Sequence, residues 1–171
     1  METKKKVCCV FGHRKIADKD TLKPKLEKTI ENLIIHENVV TFLLGSKSEF
    51  DDLCREILCS LKEKYPHIER VYIRAEFPYI TESYEKYLLE SCDRTYFPES
   101  IINAGKAVYI ERNREMIDNC DICLVYFKTS YLPPLRKHSK RDVFQYQPKS
   151  GTDAAYKYAI LKNRQIINMV E

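Results

Sequence analysis

From its amino end the chain alternates short, unbroken apolar runs with longer segments whose apolar positions recur every three or four residues. The first run is 7–11, ending in Gly12-His13-Arg14. Segment 18–36 follows, with Leu22, Leu26, Ile30, Leu33 and Ile34 near helical spacing. The run 39–44 ends in Gly45-Ser46, and 50–64 carries Leu53, Ile57, Leu58 and Leu61 behind a Ser48-Glu49 start signal. Farther on, the pattern predicts a third strand at 71–73, helices at 81–89 and 107–119, and a fourth strand at 122–127. A last helix at 152–162 and a fifth strand at 165–170 close the series.

Strands that are apolar throughout, rather than at alternate positions, are covered on both faces. Alternating with helices, they predict an α/β, Rossmann-like fold: a five-stranded, mainly parallel sheet with helices on both faces. Right-handed crossovers bring every strand's carboxyl end to one edge. The expected order is 3-2-1-4-5, and ligands of such sheets bind where the winding reverses, here between strands 1 and 4. Two segments fall outside the repeat. Segment 93–106 is polar and aromatic, and 128–150 is a basic, Pro-containing loop of roughly 23 residues, a length typical of lids or disordered segments. No linker interrupts the chain, so 1–171 reads as one domain.

Composition narrows the class. The 171 residues are 44% hydrophobic and 32% charged, as in a soluble globular domain large enough to bury its own core. No apolar run approaches the ~20 residues of a membrane span. The run 7–11 is shorter than a signal-peptide core of about 7–15 residues, so a cytoplasmic protein with no membrane partner is expected. The net charge of +4 is mild and, apart from 4–6 and 136–141, Lys and Arg are interspersed with Asp and Glu. Nucleic-acid binders carry a stronger, more clustered excess, and this positive charge equally suits a small anionic ligand. Homo-oligomerisation is left open.

Seven cysteines are an odd count. Cys120 and Cys123 form a C-x-x-C, a spacing of zinc and redox sites. Because 121–127 reads as a strand, however, the two thiols are expected not to face a common point. The expectation is reduced, mostly buried thiols, with no metal ligands and no cofactor.

Candidate chemistry gathers at the predicted carboxyl edge. Gly12 follows strand 1, Gly45 follows strand 2 and Gly151 opens the last helix; glycine serves where backbone must approach a ligand closely. In Pro148-Lys149-Ser150-Gly151-Thr152-Asp153, the free N–H groups at a helix start would hold an anion, with the Ser and Thr hydroxyls as further donors; an ordinary N-cap uses the same residues. Neither a Walker A loop nor a G-x-G-x-x-G is present. Arg112 and Arg114 lie on different faces of one helix, so one of them is expected to reach a cleft. Asp51 could accept from a ribose hydroxyl or complement its helix dipole. His13 is the one histidine at this edge.

Taken together, Cys9-Val10-Phe11-Gly12-His13-Arg14, Phe42-Leu43-Leu44-Gly45-Ser46 with Phe50-Asp51, Arg112-Asn113-Arg114-Glu115-Met116-Ile117-Asp118 leading into Asp121, and Ser150-Gly151-Thr152 resemble the SLOG superfamily, in particular its YpsA-like branch. The resemblance implies a Rossmann-like domain that binds a nucleotide or nucleotide-derived ligand, in some settings as a sensor. It implies that Ser150, Gly151 and Thr152 hold phosphate, that Arg112 pairs with it, and that Gly12, His13, Gly45 and Asp51 line sugar or base, with Arg14, Ser46 and Asn113 beside them. A related branch, the LOG phosphoribohydrolases, cleaves the base from a nucleoside monophosphate using an Arg in R-x-x-x-M and a Glu three residues after G-T. Arg112 and Met116 match the first pattern. Ala155 stands where the Glu is expected, and Lys149-Ser150 replaces a double glycine. The expectation is therefore binding without catalysis. The alternative is an N-glycosidic hydrolase in which Asp51 or Glu76 supplies the carboxylate, and a third reading has the 128–150 loop contact nucleic acid.

Overall fold

The computed structural model describes residues 3–170. Six parallel strands form one sheet: β1 (Lys6–Gly12), β2 (Val39–Leu44), β3 (Glu69–Ile73), β4 (Arg94–Tyr96), β5 (Ile122–Tyr126) and β6 (Gln165–Asn168). Their order is β4-β3-β2-β1-β5-β6. The helices are α1 (Lys19–His36), α2 (Glu49–Lys64), α3 (Glu82–Leu89), α4 (Val108–Asp118) and α5 (Gly151–Leu161). Among the described residues no helix is long and apolar enough to cross a membrane.

The central strands bury both faces because their side chains alternate between two cores. Cys8 and Val10 of β1 enter a core shared with Leu26, Ile30, Leu53, Ile57 and Leu58 of α1 and α2. Cys9 and Phe11, from the intervening positions, enter a core closed by Met116 and Ile117 of α4 and Ala155 and Ala159 of α5. Helices before and after the reversal thus pack on opposite faces, the doubly wound α/β arrangement. The reversal lies between β1 and β5, whose register runs from Cys8 opposite Ile122 to Gly12 opposite Tyr126.

The sheet has one strand more than the hydrophobic pattern predicts. β4 lies within 93–106, at the sheet edge, and is only Arg94-Thr95-Tyr96. It is specified by polar contacts, to which a search for apolar runs is blind. Asp93 accepts from the backbone N–H of Arg70 at 2.8 Å and from its guanidinium at 3.1 and 3.2 Å, while the Thr95 hydroxyl donates to the Tyr72 carbonyl at 2.8 Å. These bonds set Val71, Tyr72 and Ile73 opposite Arg94, Thr95 and Tyr96.

Candidate functional site

At the carboxyl edge, a cavity of about 380 Å³ opens between the ends of β1, β2 and β3, the amino end of α5 and the 128–150 loop. That volume lies within the ordinary range for small-molecule sites. Gly12, Arg14, Gly45, Ser46, Glu76, Arg112, Asn113, Ser150, Gly151 and Thr152 all line it. Residues more than a hundred positions apart in sequence meet here because parallel crossovers return each strand's carboxyl end to the same edge.

Two of the glycines make room for protein rather than for a ligand. A Cβ on Gly12 would lie 2.6–2.8 Å from Phe50, and one on Gly45 would lie 2.9 Å from Cδ of Arg112 and 3.0 Å from the Ile73 carbonyl. At Gly151 a Cβ meets nothing within 4 Å. Gly151 therefore borders open space at a helix start, and Ser150 caps that helix by accepting from Asp153 N–H at 3.2 Å. The cap leaves the N–H groups of Gly151 and Thr152 among the free donors of the first turn.

Arg112, rather than Arg114, reaches the cleft. It is buried, and its guanidinium donates to the carbonyls of Gly45 and Ile73 and to Oδ1 of Asn113 at 2.9 Å. Burial lowers its pKa, against the pull of Asp51, Tyr72, Tyr109 and Glu76; a guanidinium nevertheless stays charged. Arg114 is solvent-facing, 3.4 Å from Glu111.

Two expected contacts take other roles. Asp51 is fully buried and does not line the cavity. Its Oδ2 accepts from the hydroxyls of Ser46 and Ser48, the latter at 2.7 Å, and its N–H donates to Ser48 Oγ at 3.0 Å. It ties the turn after β2 to the start of α2, and burial raises its pKa. His13 is also buried. It stacks on Tyr131 at 3.9 Å between centroids, and its Nε2 accepts from Lys128 N–H at 2.7 Å. It anchors the root of the 128–150 loop.

Charge distinguishes this cavity. Arg14, Lys47, Arg74, Arg112, Arg136 and Lys149 line it, against one carboxylate, Glu76. Glu76 accepts from the Tyr109 hydroxyl at 2.5 Å and from Lys47 at 3.3 Å, and these bonds lower its pKa. Tyr72, Phe77, Tyr84, Tyr109 and Tyr131 add aromatic surface, and the buried Tyr131 hydroxyl has no partner among the described residues. The hydrophobic pattern passed over Lys47 and Arg74, although Arg74 directly follows β3 and Lys47 lies three residues past the end of β2, close to the positions that selected Gly12 and Gly45. Arg136 and Tyr131 come from the long loop, whose fold is set by packing and by the antiparallel bridge between Arg136 and Tyr146.

Ala155, where the resemblance to the hydrolases would expect a carboxylate, is buried in the second core. The C-x-x-C corrects an expectation. Cys120 precedes β5, in the turn after α4, so strand alternation does not govern it. The sulfurs of Cys120 and Cys123 lie 3.6 Å apart, and Cys9 lies 3.4 and 3.5 Å from them.

No protein-family model and no curated protein matches the chain.

Proposed function

We propose that the cavity binds a nucleotide or nucleotide-derived ligand through its phosphate groups, as a binding or sensing domain of a reducing, cytoplasmic compartment. The reading is carried by the surplus of six cationic side chains over one carboxylate around the open first turn of α5. Helix N–H groups and the helix dipole favour phosphate there, and guanidinium groups form charge-assisted, often bidentate bonds to it. Aromatic rings on the same walls offer stacking surface to a base. The motif resemblance to the SLOG superfamily points the same way. Mass spectrometry of ligand carried through native purification, followed by calorimetry with the identified compound, tests it. A phosphate-bearing molecule that binds the purified chain is expected; a tightly held ligand without an anionic group would overturn the reading.

One observation favours a second reading, an N-glycosidic hydrolase acting on a nucleoside monophosphate. Glu76 is the cavity's only carboxylate among the described residues and is held ionised, as a group facing a cationic sugar transition state needs to be. Asp51, fully buried behind Ser46 and Ser48, is less suited to the task. Base release from a panel of monophosphates, abolished in Glu76→Gln, would establish the enzyme. Turnover that survives Glu76→Gln would remove Glu76 from that role.

A further inference from the structure

Beneath the cavity, on the α4–α5 side of the sheet, three thiols from distant parts of the chain converge. Cys9 in β1 and Cys123 in β5 are paired across neighbouring parallel strands and point to the same face. Cys120 reaches them from the turn between α4 and β5. The three sulfurs form a nearly equilateral triangle with sides of 3.4, 3.5 and 3.6 Å, and Cys9 and Cys123 are fully buried with Cys120 nearly so. We propose that Cys9, Cys120 and Cys123 form a three-coordinate thiolate site for a soft, monovalent d10 ion, copper(I).

The donor set and its geometry select this ion. Cys9, Cys120 and Cys123 are the only group of three or more potential ligand side chains brought together among the described residues, and no carboxylate or imidazole joins them. An all-sulfur set selects copper(I), zinc or iron–sulfur clusters. Iron–sulfur clusters need four protein ligands, and structural zinc is almost always four-coordinate. Burial in an apolar core leaves little access for water as a fourth ligand. A disulfide would single out one pair, whereas the three sulfur separations are nearly equal. A metal–sulfur distance of about 2.3 Å places three coordinated sulfurs roughly 3.8–4.0 Å apart, so side-chain rotations need open each side by only a few tenths of an ångström. Arg164 supplies compensating charge: its guanidinium donates to the carbonyls of Ile117 at 2.9 Å and Asp118 at 3.0 Å, at the end of α4 next to Cys120.

On binding, three S–H bonds give way to three S–Cu bonds and the three protons leave to solvent. No electron moves, so the ion must arrive as copper(I) on reduced protein. Because the ligands come from β1, β5 and the turn after α4, the ion would join the two strands on either side of the winding reversal.

The test is competition with a coloured copper(I) chelator, bathocuproine disulfonate, using the reduced full chain without oxygen. Transfer of one copper per chain is expected, with a rise in melting temperature and release of protons. Cys120→Ser and Cys9→Ala should each abolish the transfer, while Cys54→Ser, on the opposite face, should retain it; circular dichroism confirms that each variant is folded. The wild-type competition stands whether or not those variants fold. The proposal is overturned if wild type takes no copper from the chelator, if folded Cys120→Ser and Cys9→Ala take as much as wild type, or if zinc(II) binds at one per chain while copper(I) does not.

Discussion

One wall of the cavity is formed by the ends of β2 and β3 with α4, and the facing wall by the 128–150 loop. On the first, Arg112 is 4% exposed and donates to two main-chain carbonyls, above an Asp51 whose Oδ2 is bonded to two serines. On the second, Arg136 and Lys149 are without ion pairs among the described residues, and Leu132, Val143 and Phe144 are exposed. The loop is fastened mainly at its root, where His13 holds Lys128 and Tyr131, and is tied to itself by the Arg136–Tyr146 bridge. The first wall is preorganised: its cation is already oriented before an anion arrives, so little ordering is left to oppose binding. The second carries charge on groups that must be ordered. Stability and affinity are therefore coupled on one wall and separable on the other.

The largest effect should follow from Arg112→Ala. It removes hydrogen bonds from a charged group to buried carbonyls, worth about 1.5–3 kcal/mol, and the urea midpoint should fall accordingly, with ligand affinity falling too. Unchanged stability would mean that Arg112 is not the preorganised element. Gly151→Val comes next. Its side chain meets open space, so the domain should remain folded while phosphate is excluded from the first turn of α5. Calorimetry showing wild-type affinity would remove that turn from the site. On the loop wall, Arg136→Ala and Lys149→Ala should each weaken binding by about 0.2–1 kcal/mol, as exposed charges do, with the loss shrinking in high salt. Their unfolding midpoints should stay near wild type; a fall as large as that of Arg112→Ala would erase the distinction between the walls.

What could be read from the sequence divides along the same lines. Helices and central strands were legible because burial on both faces writes itself as periodic apolar positions: Leu22, Leu26, Ile30, Leu33 and Ile34 all face the core. β4 was not, because Arg94, Thr95 and Tyr96 are placed by hydrogen bonds to Arg70 and Tyr72. Helical spacing left Arg112 and Arg114 as alternatives and only the motif resemblance favoured Arg112; the structure brings Arg112 to the cavity. Asp51 and His13 were located at the right edge, but their burial depends on partners at Ser46, Ser48, Lys128 and Tyr131 that no local pattern encodes. The convergence of Cys9 on Cys120 and Cys123 depends on β1 pairing with β5, a tertiary fact outside the C-x-x-C itself. Gly45 was legible as a special position for a reason that proved different, since the space it leaves is occupied by Arg112.

The smallest effect concerns the hinge between the two walls. His13 is buried beneath Tyr131 and accepts from Lys128 N–H, and its Nδ1 has no partner among the described residues. Burial lowers its pKa below the ordinary 6.5, with the Lys128 carbonyl, 3.1 Å from Nε2, and Asp153 pulling the other way. The unfolded chain, or a chain with this loop released, therefore takes up a proton at a higher pH than the folded one does. Its neutral-ring contribution to stability is fully present above about pH 6.5 and is lost as pH falls from there through the lowered folded value. Below that value both states are protonated and this dependence ends. Urea unfolding at pH 7.5 and 5.5 should show a larger fall for wild type than for His13→Gln, which cannot titrate, and the difference between them isolates His13 from the carboxylates common to both. Amide exchange across 128–150 should quicken over the same pH window, after correction for the intrinsic pH dependence of exchange, in wild type but not in the variant. Equal pH dependence in the two proteins would show that the loop is not anchored through a neutral His13.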